Sequence, residues 1–558
     1  MSGRKTYIWL QDAPLVWVAD EGAGMDADYI IVGSGSAGSV LANRLSASGQ
    51  YKVVVLEAGG TDQRFYVQLP LGYGKLFYDS SLNWMYRTEA DPGLAGNADH
   101  WPRGKLLGGS SSINAMVYIR GHRTDYDEWG QAAPGWGWDD VLPAFRAMED
   151  NEAGSDAYRG KGGPLFISEN RKGLHWLVDD YIAACGEAGL AYNRDFNGSE
   201  QEGAGTYQMT IKGGRRNSAA RAFLRPAMAR KNLQVVTNAM VTRVLFDGAR
   251  AIGVEYRRGD QTLRLLAREV IMAGGAVNSP QILQLSGIGP GRLLQEFGLP
   301  IVVDNPHVGA NLADHQGVNY TWKMKVATYN GILRPWWGKA FVGLQYLLTR
   351  GGPLAKSINH AGGFFRTGPE QPRPNMQLYM QAFSTLLPRA GERPVLTPDP
   401  FQGLSLGLSN CRPTSRGHIK LKSPDPFSHP EIVVNAFSTK NDVDEMLLAV
   451  KFLRTIAAQP TFARWVEEEL RPGPLVQSDS AMIDDFRQRS GTVYHPSCTC
   501  RMGAAGASVL DERLRVRGVA GLRVCDASAF PNLIAGNTNG AAMMMGWRGA
   551  EIILADAR

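Results

Sequence analysis

An apolar run, a glycine-rich loop and a helical pattern follow one another directly near the N-terminus. Residues 29–32 are apolar, residues 33–38 read GSGSAG, and residues 39–48 carry apolar side chains at helical spacing. A second strand-like run, residues 52–56 with the sequence KVVVL, is followed by Glu57. This order predicts a βαβ unit that opens a parallel sheet, which is an arrangement that binds dinucleotides.

Each part of this unit has a physical task in holding a diphosphate. We expect Gly33 to permit the tight turn, Gly35 to let backbone amides approach the phosphates, and Gly38 to let the helix pack on the strand. The helix N-terminus offers a partial positive charge to the anion. Glu57 can accept hydrogen bonds from ribose hydroxyls. The predicted contacts at this end also include Ser36, Ala37 and Ala58.

The chain is much larger than one such unit, with 558 residues, and its 65 glycines suggest many turns and close backbone approaches. A net charge of +6 without long runs of like charge argues against a nucleic-acid partner. Five cysteines with no zinc spacing predict neither a disulfide framework nor a metal site. No stretch is long and apolar enough to span a bilayer, and we expect a cytoplasmic protein.

Further motifs follow in a fixed order along the chain. Residues 103–114 read RGKLLGGSSSIN, residues 275–289 read GAVNSPQILQLSGIG, residues 308–315 read VGANLADH, and His495-Pro496 precedes GNTN at residues 536–539. Together they resemble the signatures of the glucose-methanol-choline (GMC) family of FAD-dependent oxidoreductases. The pattern is similar to bacterial alcohol dehydrogenases of the choline dehydrogenase-like branch, and it covers about residues 30–555.

This resemblance implies an α/β fold, α+β overall, with a Rossmann-like FAD-binding domain interleaved with a substrate-binding cap built on an antiparallel sheet. We assign the FAD-binding domain to residues 26–165, 205–318 and 490–558, the cap to residues 166–204 and 319–489, and an N-terminal extension to residues 1–25. Strands are predicted at residues 233–236, 241–246, 251–256, 262–267 and 270–273, helices at 442–457 and 541–555, and irregular chain at 61–165.

The resemblance also implies where FAD is held. Gly108 and Gly109 offer bare backbone donors, and Ile113 stands where relatives with a covalent flavin carry His, so we predict non-covalent FAD. Trp84 and Tyr494 are flavin contacts by resemblance, with simple packing as the alternative. The remaining predicted contacts are Asn114, Ala115, Met116 and Val117 along the isoalloxazine, Val241 at the adenine, and Asp526 and Ala527 near the ribityl and diphosphate.

Catalysis of alcohol oxidation needs a base beside a hydride acceptor. His495 falls on the family's active-site histidine, and Asn539 is assigned to the second site residue, which is His or Asn across the family. The implied mechanism has neutral His495 take the hydroxyl proton, hydride pass to flavin N5, and Asn539 orient the substrate oxygen. His315 is interpreted as structural, and Ser497-Cys498 departs from a pattern that commonly has Gly at the second position.

The substrate is less clearly indicated. Between residues 319 and 398 only Glu370 and Glu392 are acidic, against ten Lys or Arg, which disfavours the cation choline. Aromatic residues of this region favour an uncharged aliphatic or aryl primary alcohol: Trp336, Trp337, Phe341, Tyr346, Tyr379 and Phe383. Choline dehydrogenase and a non-redox flavin-containing lyase or decarboxylase remain alternatives.

The electron acceptor is either oxygen or a quinone, and the sequence indicates no oligomeric state. A quinone would favour peripheral contact with the inner membrane face. Residues 341–348 are the candidate segment for that contact, with a buried helix as the alternative.

Overall fold

A computed structural model describes residues 26–386 and 397–557. The predicted extension at residues 1–25 lies outside these described residues. Within them, no helix combines the length and the apolar character that a membrane crossing requires. The described chain is a mixed α/β fold with two large sheets.

The first large sheet is built on the predicted βαβ unit. Its central strands are parallel, and a hairpin adds two antiparallel strands at one side. In spatial order its strands are Leu233–Val236, Val53–Leu56, Ala27–Val32, Gln261–Met272, Arg250–Arg258 and Met240–Asp247, and Leu522–Val524 also pairs with Gln261–Met272. Helix Ser36–Leu45 connects the first two strands of the chain, as the glycine motif predicts.

One expectation about this sheet is wrong. The strands predicted separately at 262–267 and 270–273 form a single strand, Gln261–Met272. Its first half pairs antiparallel with Arg250–Arg258, and its second half pairs parallel with Ala27–Val32. The polar pair Arg268-Glu269 interrupts the apolar pattern but not the strand, since Arg523 Nε donates to Glu269 Oε1 at 2.6 Å from the neighbouring strand.

The second large sheet is antiparallel throughout. In spatial order its strands are Val466–Arg471, Gln316–Met324, Gly403–Asn410, Met376–Gln381, Ala361–Phe365 and Gly203–Thr206, and Gly491–Thr492 also pairs with Gln316–Met324. The predicted domain limits at residues 204/205 and 318/319 fall inside two of these strands. The division of the chain into two interleaved domains therefore stays a prediction.

Helices cover the sheets and connect them. Four of them lie in the region predicted to be irregular, and the longer two are Arg123–Ala132 and Trp138–Met148. The first is capped reciprocally, since His122 N donates to Asp125 Oδ2 at 2.8 Å and Thr124 N donates to His122 Nδ1 at 3.2 Å. Gly and aromatic residues around these helices obscure the helical spacing of their apolar side chains in the sequence. In the structure Trp129 and Phe145 pack in the core.

The other α-helices and the smaller sheets complete the described fold. The helices are Phe65–Gln68, Tyr73–Leu76, Leu177–Glu187, Arg225–Ala227, Gly275–Leu285, Gly291–Glu296, Tyr329–Leu333, Trp336–Thr349, Lys440–Ala457, Pro460–Ala463, Asp479–Arg489 and Asn539–Asp556. The short strands are Tyr86–Arg87 with His100–Trp101, Glu149–Asn151 with Leu165–Ile167, Ile211–Lys212 with Arg215–Arg216, Ile288–Gly289 with Val303–Asp304, and Ala310–Leu312 with Gly417–Lys420 and Glu431–Val433.

Candidate active site

A cavity of about 1220 Å³ is lined by residues from both large sheets. We call the end near Gly33 and Glu57 the nucleotide end and the end near His495 the substrate end. The cavity brings together nearly all of the predicted site residues: Gly33, Gly35, Ser36, Ala37, Glu57, Ala58, Trp84, Gly109, Asn114, Ala115, Met116, Val117, Val241, Tyr494, His495, Asp526, Ala527 and Asn539. Gly38 and Gly108 are the predicted residues that do not line it.

Gly38 lies behind the wall, where the helix packs on the glycine loop. A Cβ on Gly38 would lie 2.0 Å from the carbonyl oxygen of Gly33, so no other residue fits without moving backbone. Gly33 itself has a φ of +100°, which favours glycine. Gly108 shapes the turn that places Gly109 on the cavity wall, with a φ of +86°.

Glu57 closes the nucleotide end with a buried carboxylate. Its Oε2 accepts from the amide of Ser34 at 2.9 Å and from the Ser34 hydroxyl at 2.7 Å, and its Oε1 accepts from the amide of Gly59 at 2.9 Å. Burial raises the pKa of Glu57, and these donors oppose the rise. The carboxylate therefore ties the end of strand Val53–Leu56 to the glycine loop.

Asp526 makes a similar connection at the end of strand Leu522–Val524. Its Oδ2 accepts from the amide of Gly275 at 2.8 Å and from the Ser279 hydroxyl at 2.6 Å. Both donors belong to the first turns of helix Gly275–Leu285. Asp526 thus fixes a second helix start beside the cavity, and Ala527 follows it on the wall.

The middle of the cavity depends on a residue that the sequence did not indicate. Buried Arg216 donates through Nη1 to the backbone oxygen of Asn114 at 2.6 Å and to Asn114 Oδ1 at 2.7 Å. Asn114 Oδ1 also accepts from the amide of Met116 at 3.0 Å, and Met116 has a φ of +63°. Burial lowers the pKa of Arg216 to about 9. Arg216 therefore holds the predicted flavin-binding segment in its turn.

At the substrate end, two histidines are hydrogen-bonded to each other. His315 Nδ1 lies 2.9 Å from His495 Nδ1, and His315 Nε2 lies 3.0 Å from the backbone oxygen of Cys411. A carbonyl oxygen only accepts, so the proton of neutral His315 is on Nε2 and its Nδ1 accepts. His495 must then donate from Nδ1. This assignment leaves the lone pair of neutral His495 on Nε2.

Electrostatics keep both rings neutral. Burial lowers the pKa of His315 to about 4. Burial, His315 and Arg103 together hold the pKa of His495 well below its ordinary value of 6.5. Because the neutral form of imidazole is the form that accepts a proton, His495 is a base at neutral pH.

The loop that carries His495 is held by a buried carboxylate. Asp314 Oδ1 accepts from the amide of His495 at 2.9 Å, and Asp314 Oδ2 accepts from the Thr492 hydroxyl at 2.5 Å. Burial raises the pKa of Asp314 to about 7, while Arg103 opposes the rise. Tyr494 has a φ of +73°, and its carbonyl accepts from Arg103 Nη2 at 2.9 Å. These bonds hold the backbone turn that aims His495 into the cavity.

The residue beside His495 differs from the sequence-based assignment. Asn537 Nδ2 lies 3.1 Å from His495 Nε2, and Gln377 Nε2 donates to Asn537 Oδ1 at 3.2 Å. Asn539 begins helix Asn539–Asp556, and its Oδ1 accepts from the Ser36 hydroxyl at 2.8 Å. Both asparagines line the cavity, but Asn537 is the one placed at the base. Both asparagines belong to the GNTN motif, and the sequence alone does not show which of two residues so close together lies beside His495.

The predicted pocket aromatics divide into three groups. Tyr379 and Phe383 line the cavity, together with Tyr73, Phe77 and Ile358. Tyr346 is buried elsewhere, against Leu69. The remaining three, Trp336, Trp337 and Phe341, are exposed on the outer surface of a helix and do not line the cavity, so the substrate preference drawn from them is not supported.

Cys498 occupies the position where the family pattern commonly has Gly. Its φ of +71° lies in the left-handed region, and its side chain is buried. Its amide donates to the carbonyl of Ala527 at 3.1 Å, which holds the loop in place. The loop after His495 thus keeps a glycine-like backbone in spite of the larger side chain.

The nucleotide end has the chemistry that FAD requires. A helix N-terminus, bare backbone at Gly33 and Gly109, and the buried carboxylate of Glu57 are all found along its wall. A Cβ on Gly35 would meet its nearest neighbour, Ala273 O, only at 3.9 Å, which leaves open space above the backbone. The residues present therefore fit a flavin dinucleotide.

Comparisons with known proteins agree with this geometry. Residues 27–317 and 413–546 match the N-terminal and C-terminal family profiles described as GMC oxidoreductase. An alcohol dehydrogenase [acceptor] from Pseudomonas putida is 42% identical over 533 residues, which cover 94% of this chain and 95% of that protein. The mitochondrial choline dehydrogenase of Homo sapiens is 40% identical over 537 residues, which cover 94% of this chain and 89% of that protein.

A solved structure of pyridoxine 4-oxidase from Mesorbium loti is also similar. It superposes with a TM-score of 0.86 at 32% sequence identity and covers 94% of this chain and 99% of its own. The two family profiles, the relatives that are 42% and 40% identical, and the shared fold support the same assignment. The chain belongs to the GMC oxidoreductase family, whose members are FAD-dependent enzymes that act on CH–OH donors.

Proposed function

We propose that this protein oxidises an uncharged primary alcohol, aliphatic or aryl, to the aldehyde. The observation that carries the proposal is the lone pair of neutral His495 Nε2 beside the Asn537 amide, which Gln377 orients. Bound FAD supplies the two-electron acceptor that takes hydride from the alcohol carbon. The remaining steps belong to side chains of this chain.

His495 acts as the base in the proposed mechanism. In the structure the Asn537 amide donates to the lone pair on His495 Nε2, and an alcohol hydroxyl that inserts between the two groups replaces that bond: it donates to His495 Nε2 and accepts from Asn537 Nδ2–H. The proton moves to Nε2 as negative charge develops on the substrate oxygen, and the Asn537 amide stabilises that charge. His315 keeps the Nδ1 proton of His495 in place through its own Nδ1, so the ring cannot present the wrong nitrogen.

FAD is held without a covalent bond in this proposal. The residues at the nucleotide end, Gly33 to Gly38 and Glu57, would hold the adenosine and diphosphate, and Asn114 to Val117 with Trp84 and Tyr494 would lie along the ring. Ile113, buried beside them, has no atom that can form a flavin bond. Asn539, which accepts from Ser36 at the helix start, is proposed to act on the cofactor side.

The charge distribution of the cavity disfavours a cationic substrate. The acidic residues that line it are Glu57, Asp99 and Asp526, and all three accept hydrogen bonds from protein amides. Asp99 accepts from two amides, those of His100 and Thr492, and burial raises its pKa to about 6. The same wall carries arginines: Arg87, Arg103, Arg471 and Arg489. An uncharged alcohol avoids the cost of placing a cation here.

The electron acceptor is proposed to be a quinone or oxygen. A lipid-dissolved quinone requires approach to a membrane, so the proposal includes peripheral association with the inner membrane face. The named relative from Pseudomonas putida, an alcohol dehydrogenase [acceptor], supports an acceptor-linked reaction.

A panel of alcohols offered to the purified holoenzyme tests this function. Hydrogen peroxide formation and reduction of a soluble dye are read in parallel, and choline is included at the same concentrations. We expect an uncharged primary alcohol to give a kcat/KM at least tenfold above that of choline. A preference for choline, or a flavin that none of these alcohols reduces, would contradict the proposal and favour one of the alternatives.

A further inference from the structure

Helix Trp336–Thr349 exposes an unusual number of large apolar side chains. The exposed fractions are 81% for Trp336, 57% for Trp337, 58% for Phe341, 57% for Leu344, 61% for Leu347 and 75% for Leu348. Trp337, Phe341, Leu344 and Leu348 follow helical spacing and form one continuous stripe. The opposite side of the helix is buried through Gly338, Val342 and Tyr346. We call the exposed stripe the outer helix face.

The chain segment that carries this face contains basic residues but no acidic ones. No Asp or Glu occurs between residues 324 and 369, while the basic residues there are Lys325, Arg334, Lys339, Arg350, Lys356 and Arg366. Two of these cations face acids from other parts of the chain, since Arg366 pairs with Glu202 at 2.9 Å and Lys356 interacts with Glu152. Lys339 and Arg350 are exposed, and neither forms an ion pair among the residues that the structure describes. The guanidinium of Arg350 lies 5.0 Å from the centre of the Tyr346 ring, at the helix end.

Apolar side chains flanked by unpaired cations are the pattern of a helix that lies in the surface of an anionic bilayer. We propose that the outer helix face docks on an anionic phospholipid surface. Its aromatic and leucine side chains enter the boundary between headgroups and acyl chains, while Arg350, just after the last turn of the helix, contacts lipid phosphates. A protein that docked here would need acidic side chains opposite the exposed cations. No feature of the outer helix face requires a protein partner.

The outer helix face lies close to the substrate end of the cavity. Val342, on the inner side of the helix, packs in the same cluster as Tyr73, Ile358 and Phe383, which line the substrate end of the cavity. The outer helix face therefore lies on the far side of the substrate-end wall. Docking would place this end of the enzyme next to lipid, where apolar alcohols and quinones dissolve. The inference rests on the peripheral association included in the proposed function and identifies the surface that makes it.

Flotation of the holoenzyme with vesicles tests the proposal. The vesicles are phosphatidylglycerol mixed with phosphatidylethanolamine, and phosphatidylcholine alone serves as the uncharged comparison. We expect binding to the anionic vesicles that weakens at high salt. Combining Phe341→Gln, Leu344→Gln and Leu348→Gln should lower vesicle affinity more than tenfold, because glutamine keeps the helix but removes the apolar groups.

A second triple variant serves as the control: it replaces three exposed apolar residues that lie outside the outer helix face. Phe427→Gln, Leu448→Gln and Leu475→Gln change residues that are 54%, 44% and 95% exposed, and should leave vesicle binding unchanged. Flavin content and turnover of a short-chain alcohol with a soluble dye should be those of the wild type in both triple variants. If the outer-face variant binds vesicles as well as the wild type, the proposal is overturned.

Two other outcomes separate the possible failures. A wild-type protein that ignores vesicles but sediments as a dimer, which the outer-face variant splits, would assign the face to a second copy of this chain and overturn the proposal. Vesicle binding without turnover of any alcohol would support the docking surface and reject the proposed function alone.

Discussion

The two ends of the cavity are built in different ways. The nucleotide end is centred on the glycine loop, where backbone segments pack closely, and a Cβ on Gly38 would lie 2.0 Å from the Gly33 carbonyl oxygen. The substrate end consists of side chains from distant parts of the chain, since His315 and His495 are separated by 180 residues. Flavin binding at the nucleotide end should therefore be lost when backbone is displaced. Catalysis at the substrate end should be lost when a single functional group is removed.

The largest expected effect is on the substrate end alone. His495→Ala removes the base, and we expect flavin reduction by alcohol to slow by about 10²- to 10⁴-fold. The protein should keep its flavin, because His495 does not hold the nucleotide end. Single-turnover rates without oxygen measure this, with His418→Ala as the control. A variant with wild-type rate would remove His495 from the role of base.

The matching change at the nucleotide end is Gly38→Ala. We expect the purified protein to contain less than about one tenth of the wild-type flavin, since the added Cβ displaces the Gly33 loop. Gly186→Ala is the control, because a Cβ there meets nothing within 4 Å. Flavin absorbance per protein and the thermal midpoint are the readouts. Full flavin content in Gly38→Ala would show that the loop tolerates displacement.

The two asparagines sharpen the comparison, because they are two residues apart and belong to different ends. Asn537→Ala should lower the rate of flavin reduction about 10- to 100-fold, as expected for one hydrogen bond to developing charge. Asn539→Ala should weaken flavin retention more than it lowers the rate, since its partner is Ser36. Rates at saturating alcohol and flavin dissociation measure the difference. The reverse pattern would restore Asn539 as the substrate-orienting residue.

The smallest effect is expected for His315, a positioning residue. His315→Leu leaves the His495 Nδ1–H without an acceptor, which costs about 1–3 kcal/mol and should lower kcat roughly tenfold. His315→Gln provides an acceptor oxygen and should recover most of that loss. Thermal midpoints of both variants separate the change in kcat from a loss of stability.

The pH profile gives a second readout for His315. Because the reaction requires neutral His495, kcat/KM falls as pH drops through the pKa of His495, which in the wild type lies well below 6.5. His315 contributes to that low pKa, so the acid limb should move to higher pH in His315→Gln. An unchanged limb would show that His315 has no electrostatic effect on the base.

Local patterns in the sequence predicted the βαβ unit of the nucleotide end well, because its strands, glycine loop and helix follow one another directly in the chain. The strand, the glycine loop, the helix Ser36–Leu45 and Glu57 are where the motif indicates. Strand Gln261–Met272 was predicted as two, because a polar pair that bonds across the sheet resembles a break in an apolar run.

The substrate end could not be assembled from the sequence in the same way. His315 meets His495, and Gln377 meets Asn537, only after the antiparallel sheet has formed. The choice between Asn537 and Asn539 depends on where helix Asn539–Asp556 begins, and sequence patterns place helix ends poorly. Exposure of the Trp336–Thr349 helix likewise depends on which of its sides the fold covers.

Flavin reduction by an alcohol in the absence of oxygen tests the central claim most directly. The holoenzyme is mixed anaerobically with an uncharged primary alcohol, and the long-wavelength absorbance band of the flavin is followed. We predict complete bleaching, faster than with choline at the same concentration, and recovery of the band when an electron acceptor is added. A band that no alcohol bleaches, in a protein that has retained its flavin, would contradict the account.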